Sequence, residues 1–225
     1  MKIPVAFTVR NSSFTTMTPI FITGTGTDVG KTLIASIVTE ALQADYWKPV
    51  QAGFADGTDS LRIKDLISNN QTTIHRELYV LEMPASPHLA APAEGKEIEI
   101  KEIIHHLPNT NNQLIIEGAG GLMVPLNQKE LILDLIKELN AKVIIISKNE
   151  LGSINHSLLT AAVLKKEKVN VLGWIFTEEY KNCQEEIGEW SGYPVIAGVK
   201  HLPVISKKTI KAEANKMLPK LKLFL

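Results

Sequence analysis

Nine consecutive residues, Gly24-Thr25-Gly26-Thr27-Asp28-Val29-Gly30-Lys31-Thr32, are of the types that hold a phosphate chain. Glycines let a backbone turn tightly with its N–H groups facing inward, and a helix starting there adds a partial positive charge. Lys31 would reach the β- and γ-phosphates of a nucleotide, and the Thr32 hydroxyl would ligate Mg²⁺. The spacing departs from GxxxxGK[ST], because position 25 is Thr and the first glycine falls one residue earlier. The plain alternative is a Gly-rich strand-to-helix turn with a chance GKT. A second segment, Leu114-Ile115-Ile116-Glu117 followed by Gly118-Ala119-Gly120-Gly121, ends an apolar run in an acid. Facing the phosphate loop, Glu117 would serve the same cation, which prefers oxygen ligands. Read alone, that segment is a turn after a strand. Trp47-Lys48-Pro49 places a second lysine at a strand end, and Asp59 follows after Asp56-Gly57-Thr58. Either residue alone would be solvated surface; their weight comes from company.

The elements that position these residues follow from periodicity. Short β-branched runs at 19–23, 46–49, 113–117, 142–147, 170–176 and 194–199 are not strictly alternating, which suits strands buried on both faces of a parallel sheet. Amphipathic stretches at 31–42, 59–67, 131–139, 154–166 and 183–190 are expected helices. Such alternation implies an α/β fold: an open, mostly parallel sheet flanked by helices, with right-handed crossovers. No Pro/Gly-rich linker divides the chain, so residues 19–225 are expected to form a single domain. Residues 1–18 read as an extension, a disordered arm or a mis-assigned start, without the long apolar region and small-residue cleavage site of a signal peptide. In open α/β sheets ligands bind at the carboxyl ends of the strands, where the motif loops fall.

Composition narrows the partners. Among 225 residues, 24 basic and 24 acidic side chains cancel. That removes the main electrostatic argument for nucleic acid or an anionic membrane surface. The single cysteine, Cys183, forms no internal disulfide and no Cys-rich metal site, which suits a cytoplasmic location. No apolar run approaches the roughly 20 residues of a membrane helix. Six lysines between 207 and 222, scattered among Ile, Leu and Ala, read as the solvated face of a helix.

Together, GTGTDVGKT, WKPVQAG, TDSLRI, MPASPHLAA, IIEGAGGLMVPL and NELGSINHSLLT resemble dethiobiotin synthase in order and spacing, over most of residues 20–175. The resemblance implies a P-loop fold and a reaction. The family joins CO₂ to the two vicinal amines of 7,8-diaminononanoate with ATP and Mg²⁺. The steps run through a carbamate and a carbamic–phosphoric anhydride, yielding dethiobiotin, ADP and phosphate. It also implies a homodimer with the diamine site at the interface. By residue match, Lys48 and Lys31 resemble the catalytic lysines, and Thr32, Asp59 and Glu117 the Mg²⁺ ligands. Thr27, Asp28, Val29, Gly30, Lys31 and Thr32, with the turn Glu117, Gly118, Ala119 and Gly120, resemble the ATP contacts. Gly152, Ser153 and Asn155, donated by the neighbouring subunit, match the residues that hold the diamine carboxylate; N-capping by Ser153 is the plain alternative. Ser86 and His88 match a segment shaping the diamine pocket, although His88 reads equally well as a structural histidine.

Three positions depart from the family pattern. Ala52 stands where a substrate-touching Thr or Ser is usual. Thr177 stands where many members set Asn against the adenine, and 199–203 lacks the usual G-x-I-P. Two rivals share the scaffold. A nucleotide-switched ParA/MinD-like ATPase would often carry a lysine early in the phosphate loop, where this chain has Thr25 and Gly26. An amidating synthase would lack the Lys48 and Ser86-Pro87-His88 features.

Overall fold

The computed structural model of the chain describes residues 17–55, 57–178 and 183–225; of the expected amino-terminal extension, residues 1–16 lie outside them. In chain order the elements are β1 (Ile20–Gly24), α1 (Lys31–Leu42), β2 (Asp45–Trp47), β3 (Val50–Ala52), α2 (Asp59–Leu66), β4 (Tyr79–Leu81), α3 (Pro87–Ala93) and α4 (Ile100–His105). There follow β5 (Leu114–Gly121), α5 (Ile132–Glu138), β6 (Lys142–Lys148), α6 (Ser153–Lys166), β7 (Val171–Thr177), α7 (Gln184–Ser191), β8 (Val195–Val199) and α8 (Lys207–Leu221). Six strands form one parallel sheet in the order β2-β5-β1-β6-β7-β8, and β3 pairs with β4 in a small parallel sheet of its own.

Strict alternation is absent from the strand sequences because both faces of the sheet are covered. Ile20 and Ile22 of β1, Ile115 of β5 and Ile144 and Ile146 of β6 pack into one core with Ile34 and Val38 of α1. Their sequence neighbours Phe21, Ile116, Val143 and Ile145 pack into the other, against Leu135 and Ile136 of α5 and Leu164 of α6. A strand reverses its side chains at every residue, so each apolar run feeds two cores at once.

Two expectations needed correction. The run 46–49 is not one strand: β2 stops at Trp47, the chain turns through Lys48-Pro49, and β3 belongs to the smaller sheet. Glu117 does not end its strand, because β5 continues through Gly121. The lysine-bearing segment is a helix with its lysines on the solvated face, as expected. In α8 the lysines are exposed while Ile210, Ala214, Met217 and Leu221 are buried on the α1 side of the sheet.

Candidate active site

The phosphate loop spans the gap between β1 and α1. Gly30 caps α1 with φ 91°, a left-handed conformation that an L side chain adopts only with strain. A Cβ there would also sit 2.9 Å from Thr177 Cγ2. Among the described residues no side chain caps α1, which leaves the N–H groups of its first turn available to an anion. The Lys31 ammonium donates to the Gly26 carbonyl at 2.8 Å and so lies over the loop. Burial pushes Lys31 below its ordinary value, opposed in part by the charge of Glu117.

Opposite the loop lies an acid cluster. Glu117 on β5 is 1% exposed. Its Oε1 accepts from the Thr32 hydroxyl at 2.9 Å and from Lys48 Nζ at 3.1 Å, and its Oε2 accepts from the Tyr46 hydroxyl at 2.8 Å. The same Lys48 ammonium donates to Asp59 Oδ2. Burial alone would lower Lys48, but Glu117 and Asp59 outweigh it and hold the lysine above its ordinary value, firmly cationic. For Tyr46, burial and the neighbouring Glu117 charge raise the phenol well above its ordinary value, so it remains a donor. Asp59 opens α2 behind the N-cap Thr58, whose hydroxyl accepts from Leu61 N–H. Its own backbone N–H donates to Gln51 Oε1 at 3.2 Å. Gly118 follows Glu117 because a Cβ there would come within 2.7 Å of the Phe21 ring.

Thr32, Glu117 and Asp59 thus bring a hydroxyl and two carboxylates together, a hard oxygen set. Among the described residues no group of three His, Cys, Asp or Glu forms a metal cage. Mg²⁺ does not need one, because it commonly keeps several waters and takes one or two carboxylates plus substrate phosphates. The donor set fits that cation.

These groups open into a cavity of about 630 Å³, lined among others by Thr27, Asp28, Gly30, Lys31, Thr32, Lys48, Ala52, Asp59, Ser86, Glu117, Ala119 and Gly120. Most motif residues therefore meet in one place. The exceptions are informative. Val29 is buried in the core rather than lining the cavity, and its carbonyl accepts from the Thr177 hydroxyl at 2.9 Å. Thr177 thereby braces the phosphate loop with its side-chain hydroxyl. His88 turns Nδ1 to Ser86 Oγ at 2.9 Å and lines a separate cavity of about 600 Å³. Gly152, not Ser153, caps α6, with φ 93°. Gly152, Ser153 and Asn155 do not line the 630 Å³ cavity of their own chain, and Asn155 is exposed.

Tyr46, Gln51 and Arg62 were missed by sequence reasoning; Gln51 and Arg62 also line the cavity. Tyr46 reads as one more apolar strand residue. The available signal was its placement two residues before Lys48, on the same side of an extended chain.

Known proteins resemble this chain in sequence and in fold. A family model described as "AAA domain" matches residues 18–209. The ATP-dependent dethiobiotin synthetase BioD of Cytophaga hutchinsonii is 47% identical over 203 residues, covering 89% of this chain and 97% of its own. The chain belongs to the ATP-dependent dethiobiotin synthetase family. Its relative of the same name from Christiangramia forsetii is 43% identical, covering 89% of this chain and 96% of its own. Among solved structures, the septum site-determining protein MinD of Pyrococcus horikoshii, complexed with Mg-ADP, aligns with TM-score 0.55 and 16% identity. That alignment covers 91% of this chain and 94% of the other. At such identity the likeness is one of fold: a parallel sheet between helices, P-loop NTPase-like.

Proposed function

We propose that this dethiobiotin synthetase family chain closes the ureido ring of dethiobiotin, joining CO₂ to 7,8-diaminononanoate at the expense of ATP. The observation that carries the reading is Lys48. Its ammonium lies beside the phosphate loop, in the same cavity as Lys31, between two carboxylates that hold it charged. A phosphoryl acceptor that is itself an anion needs cations on both sides, and a simple ATPase with water as nucleophile does not.

One amine nitrogen of the diamine attacks CO₂ and loses a proton, giving a carbamate. A carbamate oxygen then attacks the γ-phosphorus of ATP, and the bond from that phosphorus to the β,γ-bridging oxygen breaks, releasing ADP. The second amine attacks the carbamoyl carbon of the anhydride and loses a proton, phosphate departs with its electron pair, and the ring closes. Lys31 and the first-turn N–H groups of α1 orient the triphosphate, while Lys48 offsets charge where carbamate and γ-phosphoryl meet. Thr32, Glu117 and Asp59 are the residues that would hold Mg²⁺, which when bound neutralises phosphate oxygens.

The carboxylate tail of the diamine is assigned to Gly152, Ser153 and Asn155 of a second copy in a homodimer. Their absence from their own chain's cavity supports that reading, as do the exposed side chains of Met123, Leu151 and Leu159. Ala52 lines the cavity without a hydroxyl, so the bond a Thr or Ser would make there falls to water or backbone. Among the described residues no helix is long and apolar enough to cross a membrane. Cytoplasmic location is part of the same proposal, supported by the single cysteine.

The test is phosphate release from Mg-ATP with bicarbonate and the diamine added separately and together. Release that requires both, with dethiobiotin among the products, is expected. Turnover indifferent to the diamine would replace this reading by a nucleotide-switched ATPase.

A further inference from the structure

We propose that Tyr46 is a positioning residue for the metal-binding carboxylate, its phenol fixing Glu117 so that one oxygen, Oε1, is presented to the cation. The inference rests on the reading of Glu117 as a Mg²⁺ ligand and extends it to a residue outside every motif of the site.

The two oxygens of Glu117 have different surroundings. Oε2 accepts from the Tyr46 hydroxyl at 2.8 Å, deep in the core. Oε1 faces the cavity side, with the Thr32 hydroxyl at 2.9 Å and Lys48 Nζ at 3.1 Å. A carboxylate tied at one oxygen cannot rotate freely about its Cγ–Cδ bond, so it is biased towards a single-oxygen approach. Mg²⁺ asks for that, because its near-ideal octahedron at about 2.0–2.1 Å leaves little room for two oxygens of one carboxylate.

The anchor itself is rigid. β2 lies beside β5 with Tyr46 in register with Ile115, two residues before Glu117. The Tyr46 N–H donates to the Thr73 carbonyl at 2.9 Å, and the Tyr46 carbonyl accepts from His75 N–H at 2.9 Å. The ring is fully buried, in the core that also holds Ile22, Ile34, Ile63 and Ile115. Fixed at both backbone and ring, the hydroxyl is set by the sheet rather than by the ligand. Partners of this kind behind a ligating side chain tune metal affinity as well as geometry.

The experiment uses the full chain and Tyr46→Phe, which deletes the hydroxyl and keeps the buried ring. The probe is Mn²⁺, titrated by electron paramagnetic resonance in the presence of ATP, with Glu117→Gln in parallel and a melting curve for each protein. For Tyr46→Phe the Mn²⁺ dissociation constant is expected to rise about 10-fold. The apparent KM for Mg²⁺ should rise with it, while metal-free ATP binding and kcat at saturating Mg²⁺ stay close to the parent's. Weakened Mn²⁺ binding in Glu117→Gln but not in Tyr46→Phe would overturn the role of Tyr46 and leave the metal site standing. No weakening in either would remove the metal reading and this inference together. Equal losses of metal-free ATP binding and of Mn²⁺ binding in Tyr46→Phe would make the phenol a general structural prop, which also overturns the proposal.

Discussion

Replacing Lys48 with Ala removes the group on which the reaction assignment depends, and the structure sets two separate magnitudes for it. The first concerns folding. Lys48 is 6% exposed and bridges Glu117 and Asp59, so its loss leaves two carboxylates facing each other without the shared cation. Breaking a buried ion pair from one side costs about 3–5 kcal/mol. Glu117 keeps its bonds from Thr32 and Tyr46, and Asp59 keeps the Gln51 bond to its backbone, which argues for the lower end, about 3 kcal/mol. For a domain of this size that is a fall in Tm of roughly 6–12 °C. The second magnitude concerns the reaction. Removing one preorganised donor from a developing oxyanion costs about 10²–10³ in kcat, or about 2.7–4 kcal/mol. Lys31 and the α1 N-terminus remain, so ATP binding should stay within about threefold. The assay pairs thermal melting with dethiobiotin formation at saturating ATP and diamine, at a temperature well below both melting points. A Lys48→Ala protein that makes dethiobiotin at a near-parental rate would remove Lys48 from the mechanism. A rate loss matched by an equal loss of ATP binding would show that Lys48 only shapes the nucleotide pocket.

Three further outcomes follow from named contacts. Gly30→Ala forces a left-handed residue and brings its Cβ to 2.9 Å from Thr177 Cγ2, at a cost of about 1–3 kcal/mol in backbone strain. ATP affinity measured by calorimetry should fall at least about 10-fold, since the loop and the cap are one structure. Asn155→Ala should raise the KM for the diamine about 10-fold while leaving ATP affinity unchanged, as befits a residue outside its own chain's nucleotide cavity. Asp45 illustrates pH dependence. Burial pushes its carboxyl up, but bonds from Thr110, Thr73 N–H and Asn112 outweigh this and hold it below its ordinary value. A depressed carboxyl contributes stability above the unfolded value of about 3.9 and loses it as pH falls through the folded one. Melting curves between pH 5 and 3 should therefore fall less steeply for Asp45→Asn than for the parent.

What could be read from the sequence was what repeats or what carries chemistry. The helices α1 and α6 and the buried strands around them announce themselves through long apolar patterns, and the phosphate loop through its residue types. Other elements were hidden for physical reasons. β3 and β4 are three residues each, too short for a period to register. The α3 sequence PHLAAPA carries prolines at its first turn and near its end, and α4 spans only six residues. Lys48 and Asp59 were visible as candidates, but their meeting across Glu117 depends on the chain leaving the main sheet after Trp47, which no local pattern encodes. Tyr46 was hidden for the opposite reason: its ring fits a core strand so well that nothing marks its hydroxyl as occupied. His88, which read equally well as a pocket or a structural residue, lines a neighbouring cavity, a placement that no local pattern encodes.

The central claim is that the γ-phosphoryl of ATP passes to a carbamate of the diamine rather than to water. It is tested most directly by supplying ¹⁸O-labelled bicarbonate in ordinary water, quenching before the label exchanges, and weighing the phosphate released. Transfer to the carbamate predicts that phosphate carries one labelled oxygen for each dethiobiotin formed. Unlabelled phosphate accompanying dethiobiotin would contradict it, because the acceptor of the phosphoryl group would then not be the carbamate.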